Sequence, residues 1–155
     1  MLQRCGHRDG TFMKKNQGFS LLELLIVVAI ILIIATIALP SLLRSRQAAN
    51  ESAAVSNLRN MNTAQVSYSS SHTGNYGSIQ DLVTAGLIDS RYSSTLSGYN
   101  LVITISGNAL DYTATAIARG QNDGRYDYYS APDYVIRYST DTSRAPTGLT
   151  GEPVR

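Results

Sequence analysis

The feature that most limits what this chain can become is the apolar block FSLLELLIVVAIILIIATIAL, running from Phe19 to Leu39. At 1.5 Å per residue it makes about 31 Å of helix, enough to cross the hydrocarbon core of a bilayer. A secretory signal would carry a shorter apolar core, about 7 to 15 residues, ahead of a small-x-small cleavage site. Thr36-Ile37-Ala38 is a poor match to such a site, so the block reads as a spanning helix. Lys14 and Lys15 on its N-terminal side place that end in the cytoplasm and the rest of the chain outside. Arg44 and Arg46 on the far side weaken this asymmetry without reversing it.

Glu23 is the odd residue in the block, because a carboxylate at the centre of a membrane helix costs on the order of 2.5 to 3.5 kcal/mol, and less near an interface. It follows Phe19 by four residues, which in a helix puts it one turn further in and on the same face. Such an acid either snorkels to the interface or finds a cation in a dry environment, where leaving it unpaired is costly. Pro40 ends the block and lacks the N–H that would bond one turn back, so a kink or loosened turn is expected there.

The string Lys14-Lys15-x-x-Gly18-Phe19-Ser20-Leu21-Leu22-Glu23, followed by the apolar run to Pro40, resembles the N-terminus of a type IV pilin precursor. It is also similar to the pseudopilins of type II secretion systems. The resemblance implies that a membrane-embedded prepilin peptidase cuts after Gly18 and methylates the new N-terminal Phe19. It implies too that Glu23 pairs with the N-terminal amine of a neighbouring subunit during assembly, and that the helix unwinds near Pro40 in the filament. Elementary chemistry agrees with the pairing, since the cut creates at Phe19 the ammonium that Glu23 lacks beforehand.

The partners implied are further copies of the chain, the peptidase and methyltransferase, an inner-membrane assembly platform and an outer-membrane secretin. The location implied is the bacterial inner membrane as a single-pass precursor, then an extracellular pilus, or a periplasmic pseudopilus in the alternative. Residues 1–18 are expected as leader, 19–39 as transmembrane and assembly helix, 40–69 as its amphipathic continuation, and 70–155 as a β-rich head with a flexible C-terminal tail. Met13 to Gly18 alone would make a complete short leader, so Met13 is an alternative start to Met1. With that start Cys5 is never made.

Ser41 to about Ser69 contains no Pro or Gly and repeats Ala48, Val55, Leu58, Met61, Gln65 and Tyr68 at helical spacing. Ser78 and Asp81 resemble a capping box, and Gly86 suits a C-terminal cap, which predicts a short helix from Ser78 to Ala85. Leu101, Ile103 and Ile105 alternate along one strand, and Gly107-Asn108 turns into a second from Tyr112 to Ala118. A second pair, Tyr126 to Ser130 and Tyr134 to Ser139, flanks Ala131-Pro132-Asp133. The expected fold class is therefore α+β: a long N-terminal helix, membrane-spanning in its first half, packed by its second half on a four-stranded antiparallel sheet. Thr140 to Arg155 has no periodicity and reads as an exposed end.

Charge and composition narrow the function. Of 13 basic residues, Arg4, Arg8, Lys14 and Lys15 precede Gly18 with the single acid Asp9, so their removal leaves nine arginines against ten acids, a net charge of −1. No general attraction for nucleic acid follows from that balance. Cys5 is the one cysteine, which excludes an intrachain disulfide and a cysteine metal cluster. No phosphate-binding loop, Ser/His/Asp constellation or H-x-x-x-H pair is present, and the histidines are His7 and His72, so neither an enzyme nor a cofactor is expected. Asp123, Asp127, Asp133 and Asp141 are weak calcium candidates, because their oxygens suit the ion but their spacing matches no loop signature. The ten tyrosines read as strand residues with apolar bodies and wet hydroxyls.

The leading expectation is a structural subunit of a type IV pilus serving adhesion, twitching motility or DNA uptake. The alternative is the major pseudopilin of a type II secretion system. A third possibility of another class is a membrane-anchored binding module that does not polymerise, for which Glu23 would be dispensable.

Overall fold

The computed structural model describes residues 18–139 and 151–154. The chain divides into two compact units, one ending at Ala38 and one beginning at Leu39. Helix α1 (Leu21–Ser71) contributes to both, and its helical assignment runs through Pro40. Among the described residues it is the one helix long and apolar enough to cross a bilayer.

In the second unit α1 presents Ala54, Val55, Leu58, Met61 and Gln65 to the interior. Ala48, expected on that stripe, is exposed. The helix ends where Thr73 takes a left-handed φ of 54° and the N–H of Gly74 reaches back to the carbonyl of Ser69 at 2.9 Å. That six-to-one bond is the closing bond of a Schellman motif, here with threonine at the position glycine usually fills. Helix α2 (Ile79–Thr84) forms where expected, with both bonds of the Ser78–Asp81 capping box in place.

A 3-10 turn (Ser90–Ser93) leads into a sheet of six strands, β1 (Thr95–Leu96), β2 (Tyr99–Ile105), β3 (Tyr112–Ala118), β4 (Tyr128–Ser130), β5 (Ile136–Tyr138) and β6 (Glu152–Pro153). Each strand pairs antiparallel with the next in a simple meander. Inward positions of β3 are Ala114, Ala116 and Ala118, which leave room for the bulkier Tyr99, Leu101 and Tyr128 of the flanking strands in the same core as Leu58 and Met61. Outward positions such as Asn100, Val102 and Thr104 stay exposed.

Six strands replace the four expected. Strand β1 escapes a pattern search because it has only two residues, set by a tight turn with Ser97 and Gly98 at φ 48° and 78°. Strand β6 lies in the segment read as an unpaired tail, yet Glu152 and Pro153 pair with Tyr138 and Arg137, and the Val154 N–H donates to Ile136 at 2.8 Å. A proline is tolerated there because an edge strand leaves one row of N–H groups unused.

The tyrosines set the alkaline limit of the head. Burial pushes the phenols of Tyr112, Tyr128 and Tyr129 above their ordinary range. Tyr76 is pushed up to about 12, chiefly by its hydrogen bond with the Tyr134 hydroxyl. The fold therefore holds the neutral phenols, whereas an unfolded chain ionises them near pH 10. Their contribution is complete below about pH 10 and falls away as pH rises further. Thermal melts between pH 7 and 11 should show a melting temperature that is flat across the tyrosines' neutral range and declines beyond about pH 10.

Candidate processing and assembly site

In the first unit, Gly18, Phe19 and Ser20 are non-helical, and the first helical bond is the Leu24 N–H donating to the Ser20 carbonyl at 3.2 Å. The Gly18–Phe19 peptide thus precedes the helical ladder. A Cβ built on Gly18 would meet none of the described residues within 4 Å, so packing among them does not demand glycine there.

Because α1 begins at Leu21, Phe19 is not on the helix, and the shared helical face expected for Phe19 and Glu23 is not formed. Glu23 instead occupies the first turn, where the partial positive charge of the helix N-terminus favours an acid. Its carboxylate is exposed and accepts no hydrogen bond from a described group. Around it the large apolar side chains from Phe19 to Leu39 are all exposed, from 45% for Val27 to 81% for Leu21. An isolated chain cannot leave such a surface in water, so lipid or other copies must cover it.

The remaining candidates lie in the second unit and are not drawn together. Asp123 packs beside Gly98, where an added Cβ would lie 2.8 Å from its own. The Asp127 carboxylate is buried and accepts the Ala118 N–H at 2.8 Å. Asp133 accepts from Arg137 and from the Val135 N–H, and the arginine holds its carboxyl below the usual range. Asp141 lies outside the described residues. Among the described residues no three His, Cys, Asp or Glu side chains converge on a metal position. His72 stacks on Tyr68 with ring centroids 3.8 Å apart.

Sequence reasoning missed the polar groups that fasten helix to sheet. Gln47 and Asn50 donate to the carbonyls of Gln121 and Asp123 at 2.5 and 2.9 Å. Glu51 accepts the Arg125 N–H at 2.7 Å and its guanidinium through Nε and Nη2 at 3.1 and 2.9 Å. Deeper in, Asn62 accepts from Tyr112 at 2.9 Å and donates to Ser130 at 2.8 Å, while Gln65 exchanges two bonds with the backbone of Gly77. The one available signal was an acid, Glu51, on the side of α1 that also carries Ala54, Val55 and Leu58.

Three similarities bear on this arrangement. Residues 13–39 match the family described as the prokaryotic N-terminal methylation motif. Over 134 residues, covering 84% of this chain and 92% of the relative, the sequence is 32% identical to the type IV wide pilus major component PilA4 of Thermus thermophilus. Over 61 residues, covering 39% of this chain and 28% of the relative, it is 44% identical to the type IV major pilin protein PilA of Myxococcus xanthus.

Proposed function

Because the chain belongs to the type IV pilin family, we propose that it is the building block of a surface pilus that polymerises through α1 once the Gly18–Phe19 bond has been cut. The observation that carries this reading is the apolar run from Phe19 to Leu39, whose large side chains are all exposed and whose Glu23 carboxylate accepts no hydrogen bond from a described group. Hydrolysis leaves the Gly18 carboxylate on the leader and an ammonium on Phe19. N-methylation of that amine keeps it cationic. Glu23 of a neighbouring copy is then its partner, and the apolar side chains of many copies cover one another as they leave the lipid.

Residues 1–18 are in this account the leader, 19–39 the anchor and then the filament core, and the head from residue 70 the outer surface. Pro40 marks the place where the helix yields during assembly. Adhesion, twitching motility and DNA uptake are activities such a filament would serve. Electron microscopy of material sheared from producing cells should find filaments that disappear on deletion of the chain. Loss of enzyme secretion on deletion, with no surface filaments, would move the assignment to a secretion pseudopilus.

Gly18 gives a second test. Since the described residues leave open space around Gly18, Gly18→Val should insert and fold normally but accumulate as uncut precursor, with processing at least tenfold slower in a pulse-chase. Normal processing would shift the peptidase's requirement away from this residue.

A further inference from the structure

Two ends of the head can be told apart by which part of α1 they lie beside. Asn62 bonds Tyr112, Ser130 and the Tyr134 carbonyl, and the Tyr76 N–H bonds Ala109, so the connections 106–111 and 131–135 sit at the end of the head near the C-terminus of α1. Gln47, Asn50 and Glu51 hold the connection 119–127, which therefore sits at the opposite end. Strand β3 runs from one to the other, with Asp111 immediately before it and Arg119 immediately after it. At about 3.3 Å per residue, the eight steps between them separate the two charges by roughly 26 Å.

Both are exposed, and neither the Asp111 carboxylate nor the Arg119 guanidinium bonds any described side chain. At the first end Tyr76 joins the two connections, its N–H bonding the Ala109 carbonyl and its hydroxyl the Tyr134 hydroxyl, and Leu110, Tyr134 and Val135 are exposed by 60%, 42% and 37%. Ala109 and Tyr134 hold φ of 55° and 60° there, a left-handed conformation that costs free energy in residues other than glycine. At the second end the 119–127 connection carries Arg119, which is exposed, and Arg125, whose side chain is 57% exposed and bridged to Glu51. Of the acids at that end, Glu51 is bound to Arg125, Asp127 is buried, and Asp123 is half-buried beside Gly98.

We infer that the patch of Leu110, Asp111, Tyr134 and Val135 docks the arginine-bearing end of a second copy of this chain, head upon head. The match is one of charge and of ring chemistry. Asp111 offers a guanidinium a carboxylate that bonds no described side chain, and the exposed Tyr134 ring offers a face on which an arginine can lie. The molecule already makes a contact of that kind, with the Arg125 guanidinium 5.3 Å from the Tyr126 ring centre. Two unlike surfaces on one chain give a heterologous contact, which repeats without closing and so propagates a filament. This inference rests on the polymer reading above and adds which head surfaces meet.

Charge reversal tests it in the full-length chain. Asp111→Arg and Arg119→Asp should each lower the amount of chain in sheared filaments at least fivefold at physiological salt. The two together in one chain should restore it to within twofold of the unmodified chain. Equal melting temperatures of the detergent-solubilised variants would establish that the heads are folded, as expected for exposed side chains that bond no described side chain. Undiminished filaments from both single variants, or a double variant as poor as the product of the singles, would overturn the head contact while leaving the polymer intact. If the unmodified chain itself forms no filaments, the polymer reading falls and the contact falls with it.

Discussion

Glu23→Ala should leave the chain inserted, cut and folded while reducing its recovery in sheared filaments at least tenfold. The carboxylate is exposed and bonds no described group, so its removal takes away no contact among the described residues. Insertion becomes easier, because a charge that opposes entry into lipid is gone. What is lost is the partner of the Phe19 amine in the next copy. Two unit charges 4 Å apart attract by about 4 kcal/mol at an effective dielectric of 20. A third of that, about 1.4 kcal/mol, is already a factor of ten in an association constant. Glu23→Gln keeps the shape and removes the charge, so it should fail alongside the alanine variant, whereas Glu23→Asp should retain part of the assembly. Immunoblots of sheared and membrane fractions, with a melt of the solubilised protein, separate the effect from misfolding. Normal filaments from both the alanine and glutamine variants would remove charge pairing from the mechanism.

The largest effect on stability is expected at Gly124. A Cβ there would collide with the Tyr99 hydroxyl and lie 2.5 Å from the ring carbon that bears it. Tyr99 cannot swing aside cheaply. It is fully buried, packs on Tyr128 at a centroid distance of 6.0 Å, and donates to the Tyr126 carbonyl at 2.8 Å. Gly124→Ala must therefore either overpack this corner or break that bond, costs of about 1 to 3 kcal/mol each. A loss of about 3 kcal/mol would lower the melting temperature of a head this size by more than about 10 °C. Pairing Gly124→Ala with Tyr99→Phe, which shortens the ring by its hydroxyl, should recover part of the loss. A Gly124→Ala chain that melts within about 2 °C of the unmodified one would show that this corner is not packed as described.

The anchor and the strands were legible for different reasons. From Phe19 to Leu39 a long apolar run with one acid at a fixed distance from Gly18 leaves few other interpretations, so Gly18, Phe19 and Glu23 could be singled out without a fold. Strands β2 and β3 announced themselves by strict alternation, and the Ser78–Asp81 box by local chemistry. What stayed hidden depends on residues far apart in the chain. Strand β6 exists because β5 offers Arg137 and Tyr138 as partners, which nothing between Thr140 and Arg155 reveals. Glu51 and Asn62 look like surface residues of a polar helix until Arg125, Tyr112 and Ser130 come round to meet them. Asp127 was a calcium candidate by composition, yet it satisfies a backbone N–H inside the sheet.

The head also explains why one chain can serve both a membrane and a filament. Its fastening is internal, with Gln47, Asn50 and Glu51 tying α1 to the β3–β4 connection. In the proposed reading the exposed apolar side chains from Phe19 to Leu39 meet lipid before assembly and other copies afterwards.

The central claim is that the chain is cut after Gly18 and carried into a surface filament. Intact-mass and N-terminal analysis of the protein from a sheared cell-surface fraction, and separately from membranes, tests it most directly. The account predicts a surface species that begins at methylated Phe19, with an uncut form found only in membranes. A chain that keeps Met1 or Met13 in every fraction would contradict it and leave a membrane-anchored domain that does not polymerise.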